Sequence, residues 1–508
     1  MTDHWLLITD AARQGARDGE PVAYWDFMKM ILWCGMVWMA AGLGVSHGAV
    51  MAGAHAEDIS PRTFPAPVNG SMSGRFATEV TDPMHARCLA VSDGSHEVML
   101  CVIDACMVPR EICEEAKRIA SEKTGVPTGQ MLISATHTHS AATLAGVFQS
   151  DPDPAYVEEV PGRIAQALIQ AHANLEPAEV GWGFSSDPTQ VFNRRWRVKE
   201  QEQYENPFDV MTDRAWMNPG SVNPKVSVPA GPIDADVAIL AARAVESGRP
   251  IGVLANYSLH YVGGVTPISA DYFAMFADEM KTRLKAGDAR YEGKPAFVGI
   301  MSNGTSGDIN NINYGSSVRY KREPGEQARI VAKSVATAAM EAFETVKWST
   351  DATLDSAETD LSLGVRKATA EELQRADDLL ASTEKDAAGN YRDRKAIYAR
   401  ESKLLADYPD EVMVKVQAHR IGDLSIGAIP CEVFVEIGLE LKRTTPFTRH
   451  FTISLANGYN GYLPTEAQHA LGGYETWRAR SSYLETTAAG KITEAMKGLL
   501  TGLASESE

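Results

Sequence analysis

Cysteine is scarce: six in 508 residues, with Cys34 inside an apolar segment near the start. The other five, Cys88, Cys101, Cys106, Cys113 and Cys431, contain no Cys-x-x-Cys pair. That excludes a disulfide-built scaffold and argues against a cysteine zinc site. One or two bridges stay compatible with an exported protein, and spacing does not assign them. Positive charge is in deficit too, with 48 Lys and Arg against 66 Asp and Glu and a formal net charge of -18. Without a long basic run, a nucleic-acid surface or an anionic-membrane surface built on lysine and arginine is disfavoured. The apolar run Met30 to Val45 is broken by glycines and short for a bilayer span. No Gly-x-Ser-x-Gly elbow falls in a strand-turn-helix setting, which argues against serine hydrolase chemistry. Internal repeats and low-complexity segments are absent.

With 44% hydrophobic and 22% charged residues the chain can bury a large core. Lys29, the apolar run and Ala54-His55-Ala56 together read as a secretory signal, with Met28 or Met30 as an alternative start. The expected organisation is therefore a leader and signal over 1–56 and one catalytic domain over 57–508, secreted or periplasmic. The proline-rich run from Ile59 to Ser71 should wrap over a surface and can cover the mouth of a site.

Beyond it, strands are expected at Ala86–Val91 and Glu97–Asp104, a helix over Glu111–Lys123 and a strand over Gln130–Ala135. This βαβ order predicts a parallel pairing. Further strands are expected at Glu179–Phe184, Val237–Arg243, Pro250–Leu259, Ala296–Met301 and Leu354–Leu363, with helices over Ala155–Asn174 and Gly325–Thr345. Ser185–Pro232 reads as a long irregular stretch, and Thr369–Tyr408 as a charged helical outer layer. A hairpin over Met413–Ile429, a strand at His450–Ala456 and a closing helix at Leu484–Leu503 complete an α/β fold: mixed β-sheets layered with helices, its site at the carboxyl ends of strands.

The strand ending at Ala135 runs straight into Thr136-His137-Thr138-His139-Ser140. In an extended exit, side chains two apart point the same way, so His137 and His139 can face one crevice. A chance His-x-His among 12 histidines is the plain alternative. The arrangement recurs where Asn256-Tyr257-Ser258-Leu259-His260 ends a strand, and Glu432 follows another at an expected helix start, where the dipole favours a carboxylate. Arg194, within Asn193-Arg194-Arg195-Trp196-Arg197, is either part of a solvated face or a contact to an anion or carbonyl.

Those segments, with Gly307-Asp308, Pro430-Cys431-Glu432 and Asn457-Gly458-Tyr459-Asn460-Gly461-Tyr462, resemble in kind and order the neutral/alkaline non-lysosomal ceramidase family. The likeness runs from about Glu57 to Tyr474, and Ala-Thr-His-Thr-His-Ser is its most specific part. It implies a zinc-dependent amidase that splits the N-acyl amide of ceramide, with His137, His260, Glu432 and Tyr462 as zinc ligands. His139, Arg194 and Tyr474 fall where the family assists the reaction, and Tyr459 competes with Tyr462 for its role. The implied partner is an N-acyl lipid, with peripheral membrane contact left open.

The departures are specific. Ile309-Asn310-Asn311 stands after Gly307-Asp308 where the family continues with serine and proline, and Ser140-Ala141-Ala142-Thr143 replaces a glycine-rich continuation. The chain ends 34 residues after Tyr474 (508 minus 474), without the C-terminal immunoglobulin-like domain of many members. Two alternatives follow: a zinc hydrolase of another amide, ester or lactone, and an exported binding protein with a degenerate site.

Overall fold

Side chains alternate across a strand, so a strand buried on both faces must find two apolar partners. The computed structural model describes residues 49–202, 204–318 and 322–505, and there both faces of the main sheet are covered. Its strands are β1 (Met51–Asp58), β2 (His85–Ser92), β3 (Glu97–Ile103), β4 (Met131–Ala135), β5 (Glu176–Ser186), β6 (Asp236–Ala244), β7 (Pro250–Tyr257) and β8 (Val298–Asn303), in the order β8-β7-β6-β5-β1-β2-β3-β4. The interior pairings are antiparallel, and each edge closes with a parallel pair, β7 with β8 and β3 with β4. A second sheet holds β9 (Leu354–Gly364), β10 (Glu411–Ile421), β11 (Leu424–Ile429) and β12 (Arg449–Ser454), ending in a parallel pair, β11 with β12.

The two sheets share a core in which Leu89, Leu100 and Val102 meet Leu354, Ile426 and Phe451. On the other face of the main sheet, Cys88, Cys101 and Ile103 pack under α1 (Arg110–Thr124) and α2 (Pro154–Ala173). Ile239 and Val253 of the same sheet pack under α3 (Asp271–Arg283) and α4 (Glu326–Glu344). The charged excursion forms α5 (Ala370–Ser382) and α6 (Arg394–Ala406). Val414 and Val416 of the second sheet face α7 (Val435–Thr444) and α8 (Ala488–Ser505). The layers run helix, sheet, sheet, helix, as expected of an α/β fold.

Three expectations change. The boundary at Ala56 falls inside β1, which pairs with β2 from Met51↔Ser92 to Asp58↔His85 and buries Ala52 and Ala54. The folded unit therefore includes Met51–Ala56; the signal-like run itself lies outside the described residues. The stretch after Ser185 carries short strands, three of which (Arg195–Val198, Ala215–Met217, Val226–Pro229) form a small sheet. Helix α3, not anticipated, supplies the crossover between β7 and β8. No helix among the described residues is long and apolar enough to cross a membrane.

Candidate metal centre

Each parallel pair, β3-α1-β4, β7-α3-β8 and β11-α7-β12, delivers one side chain to a common point just past a strand's carboxyl end. His137 follows β4, His260 follows β7 and Glu432 follows β11. His137 is not in an extended exit: its φ is 72°, and its N–H donates to Ala105 O at 2.8 Å, so the chain turns as it leaves β4. His139 nonetheless returns to the same place, with 3.3 Å between the two Nε2 atoms. Nor does Glu432 begin a helix. It lies in a short strand, Glu432–Val433, parallel to Tyr462–Leu463, and the register Glu432↔Tyr462 puts both side chains on one side. Asn457 ties this loop to β4, its N–H donating to Ile133 O at 2.7 Å and its Oδ1 accepting from Ile133 N at 3.1 Å.

His137 Nε2 lies 3.0 Å from His260 Nε2 and 3.1 Å from Glu432 Oε2, and the latter is 3.9 Å from His260 Nε2. All three residues are buried. Each Nδ1 faces a carbonyl, which only accepts: His137 faces Cys106 O at 2.5 Å, His260 faces Ser306 O at 3.2 Å and His139 faces Gly70 O at 3.0 Å. The Nδ1 atoms therefore carry the hydrogens, and three Nε2 lone pairs converge beside a carboxylate. Such a set repels itself unless a proton or cation sits among it. Burial lowers the His137 pKa, but Glu432 outweighs it and the group is pushed up to about 10. Burial and the charge on His137 push His260 and His139 well down.

Two imidazoles and a carboxylate within 4.8 Å of one another fit a divalent cation, which would take the place of that proton. Cys106 with His137 and His139 makes a second, overlapping group. The Cys106 thiol, however, is 3.8 Å from the protonated Nδ1 edge of His137. One ring cannot serve both groups through the same nitrogen.

The other expected residues surround this point. Arg194 donates through Nη2 to Tyr462 Oη at 3.0 Å and to Gly307 O at 2.8 Å, and its Nη1 lies 3.3 Å from His260 Nε2. Burial and the nearby Glu432 push the Tyr462 phenol well up, while Arg194 favours its ionised form. The Tyr474 ring stands 5.7 Å from that of Tyr462. His137, His139, Arg194, Glu432, Tyr462 and Tyr474 line one cavity of about 210 Å³, and His260 lines an adjoining groove of about 730 Å³. The end of the proline-rich run, Gly70 and Ser71, forms part of the cavity wall.

Four further residues contribute: Glu475 and Tyr261 were not anticipated, Asp308 stood in a family-like segment without a role, and Tyr459 stood only as a competitor of Tyr462. Fully buried Glu475 pairs with Arg194 Nε at 3.0 Å and Arg195 Nη1 at 2.5 Å, fixing the arginine fork. Tyr459 Oη donates to Glu432 Oε1 at 3.1 Å, leaving Oε2 for the histidines. Tyr261 stacks on His139 with ring centres 3.6 Å apart. Asp308, pushed up to about 6 by burial, accepts from Val435 N at 3.0 Å and Asn193 Nδ2 at 2.7 Å, bracing the strand end against the arginine loop. Tyr261 and Glu475 each sit one position after an expected residue, and Tyr459 shares its loop with Tyr462; adjacency was the available signal.

No protein-family model and no curated protein matches the chain. Solved structures do. A neutral ceramidase from Pseudomonas aeruginosa superimposes with a TM-score of 0.66 at 14% identity, over 90% of this chain and 75% of that one. A ceramidase complexed with C2 gives 0.65 at 14% identity, over 90% and 76%. The layered sheets carrying His137, His260 and Glu432 at their strand ends thus form a ceramidase-like fold.

Proposed function

We propose that the protein is a zinc-dependent amidohydrolase, secreted or periplasmic, that cleaves the N-acyl amide of ceramide or a related N-acyl lipid. The observation behind this is the convergence of His137 Nε2, His260 Nε2 and Glu432 Oε2, with Tyr462 beside them on the Glu432 register. These four would hold the ion, which supplies Lewis-acid polarisation of the scissile carbonyl and an acidified water. His139, whose pKa is held low by burial, is a free base at neutral pH. With Nδ1 anchored on Gly70 O, its Nε2 is available to take the water's proton and return it to the leaving amine. Tyr474 and Arg194 line the same cavity and are placed to donate to the carbonyl oxygen as charge develops there. Glu475 keeps the Arg194 fork aimed.

The asparagines following Gly307-Asp308 favour a second reading, in which the same chemistry acts on a different amide, ester or lactone. The full chain, assayed with N-acyl lipids, soluble amides, esters and lactones, tests both. Amide hydrolysis that a chelator abolishes and zinc restores supports the first reading. Preferential ester or lactone turnover supports the second. Bound zinc without turnover of any of these compounds refutes both and leaves a binding protein.

A further inference from the structure

Cys88, Cys101, Cys106, Cys113 and Cys431 are all buried and unbridged. Register sorts them. Cys88 of β2 and Cys101 of β3 are direct partners across an antiparallel pair, so their side chains share a face. The two ends of the pairing fix what kind of partners they are. Asp104 N–H donates to the opposed His85 O at 2.9 Å, and Asp93 N–H to the opposed His96 O at 3.1 Å, so both are hydrogen-bonded pairs. Hydrogen-bonded and non-hydrogen-bonded pairs alternate along an antiparallel ladder. Cys88 is three positions from His85 (88 minus 85) and five from Asp93 (93 minus 88), an odd step from each, so Cys88 and Cys101 form a non-hydrogen-bonded pair. Such partners have Cα atoms about 4.5 Å apart, within the roughly 4.4–6.8 Å that a disulfide spans. The other three thiols lie elsewhere: Cys106 against His137, Cys113 on α1, and Cys431 in the core beside α7 and α8.

We propose that Cys88 and Cys101 are a modification site: a disulfide joins them when the chain folds in the presence of a disulfide oxidant, the condition an exported protein meets. The inference does not depend on the proposed hydrolysis; it draws only on the proposed export, for the oxidant. One thiolate attacks the oxidant's disulfide and releases one of its thiols, and the second thiolate resolves the mixed disulfide and releases the other. Two protons and two electrons leave the pair, and one oxidant disulfide becomes two thiols. Timing follows from burial. Neither residue is exposed in the folded chain, and burial, with Cys101 beside it, pushes the Cys88 thiol well up, so the reactive thiolate is scarce there. The exchange therefore belongs to the stage before α1 and α2 cover the face on which both cysteines lie. The bridge spans 13 positions of a hairpin (101 minus 88) and removes freedom from the unfolded chain. It also clamps β2 to β3, the strand that leads to Cys106 O, the acceptor for His137 Nδ1.

The full chain, unfolded and reduced, is refolded in parallel with a mixture of glutathione and glutathione disulfide and with glutathione alone. Free thiols are then alkylated in denaturant. Digestion after acidic residues, without reductant, parts Cys88 from Cys101 at Glu97 and Cys101 from Cys106 at Asp104. Mass spectrometry should find the Cys88 and Cys101 peptides joined after the first refolding only, two hydrogens lighter than their sum, with Cys106, Cys113 and Cys431 alkylated. The joined form should melt on the order of a few degrees above the reduced form. That difference should vanish when Cys88→Ala and Cys101→Ala are combined, in a variant whose fold circular dichroism confirms. Alkylation of Cys88 and Cys101 after both refoldings, a bridge from either to a different cysteine, or folding that succeeds only without the oxidant would overturn the inference. Zinc content and amide hydrolysis, measured on the reduced form, test the proposed function separately.

Discussion

The three atoms nearest to a Cβ at Gly70 all belong to His139, so Gly70→Ala is aimed at proton transfer and not at metal binding. A Cβ there would lie 2.4 Å from His139 Cβ, 2.5 Å from its Cγ and 2.7 Å from its Cα. Carbon contacts sit near 3.5–4.0 Å, so the histidine must retreat by roughly 1 Å or more. The φ of 91° at Gly70 adds strain of about 1–3 kcal/mol for any L side chain. The turn cannot yield freely, since Arg75 Nη2 donates to both Asn69 O and His139 O. A displacement of that size in a catalytic base costs about 100-fold in rate, and complete loss of general acid-base assistance about 10²–10⁴-fold. Steady-state kinetics should therefore show kcat down by roughly 100-fold or more, and metal analysis should show an unchanged zinc content. Wild-type turnover in Gly70→Ala, or a loss of activity that tracks loss of zinc, would refute this placement of His139.

Glu475→Gln removes the charge of the carboxylate that pairs with two buried guanidinium groups. It should cost roughly 3–5 kcal/mol in chemical denaturation and lower kcat by loosening Arg194; unchanged stability would contradict the pairing. His419 and His450 are buried neutral and held down to about 3, chiefly by burial. Below the ordinary histidine pKa of about 6.5 the unfolded chain binds protons that the native chain refuses. Stability should therefore fall as pH drops from about 6.5 towards 3, and denaturant midpoints should flatten across that window when the two are replaced by glutamine. A chain begun at Glu57 loses Met51–Ala56 from the middle of the main sheet and should not fold, whereas one begun at Gly48 should; circular dichroism and gel filtration distinguish them.

Much of the framework is legible in the sequence because buried parallel strands announce themselves as short apolar runs between turn formers, as Met131–Ala135 does. β1 was hidden by its composition. Ala52-Gly53-Ala54 is small, and the strand packs closely against α2, where Gly53 has room for no Cβ beside Ala171 O. Ala54 and Ala56 of the same strand are also the small residues of the expected cleavage pattern, which is why the strand was not anticipated. Helix α3 escaped because Asp271 begins it at φ 57°, held by the N–H groups of Val262 and Gly263, a local arrangement no periodicity reveals. At the site, His137, His260 and Glu432 were readable as residues that end strands. The partners that orient them were not. Glu475 and Tyr459 act through contacts with residues 281 and 27 positions away, which only the folded chain brings within reach.

The central claim is that one divalent ion sits among His137, His260 and Glu432. Elemental analysis of the full chain supplied with zinc, joined to anomalous diffraction at the zinc edge, tests it most directly. The account predicts about one zinc per chain, a peak between the two Nε2 atoms and Glu432 Oε2, and its loss in His260→Ala. A folded chain that takes up no ion there, or that keeps its zinc when both His137 and His260 are replaced by alanine, would contradict it.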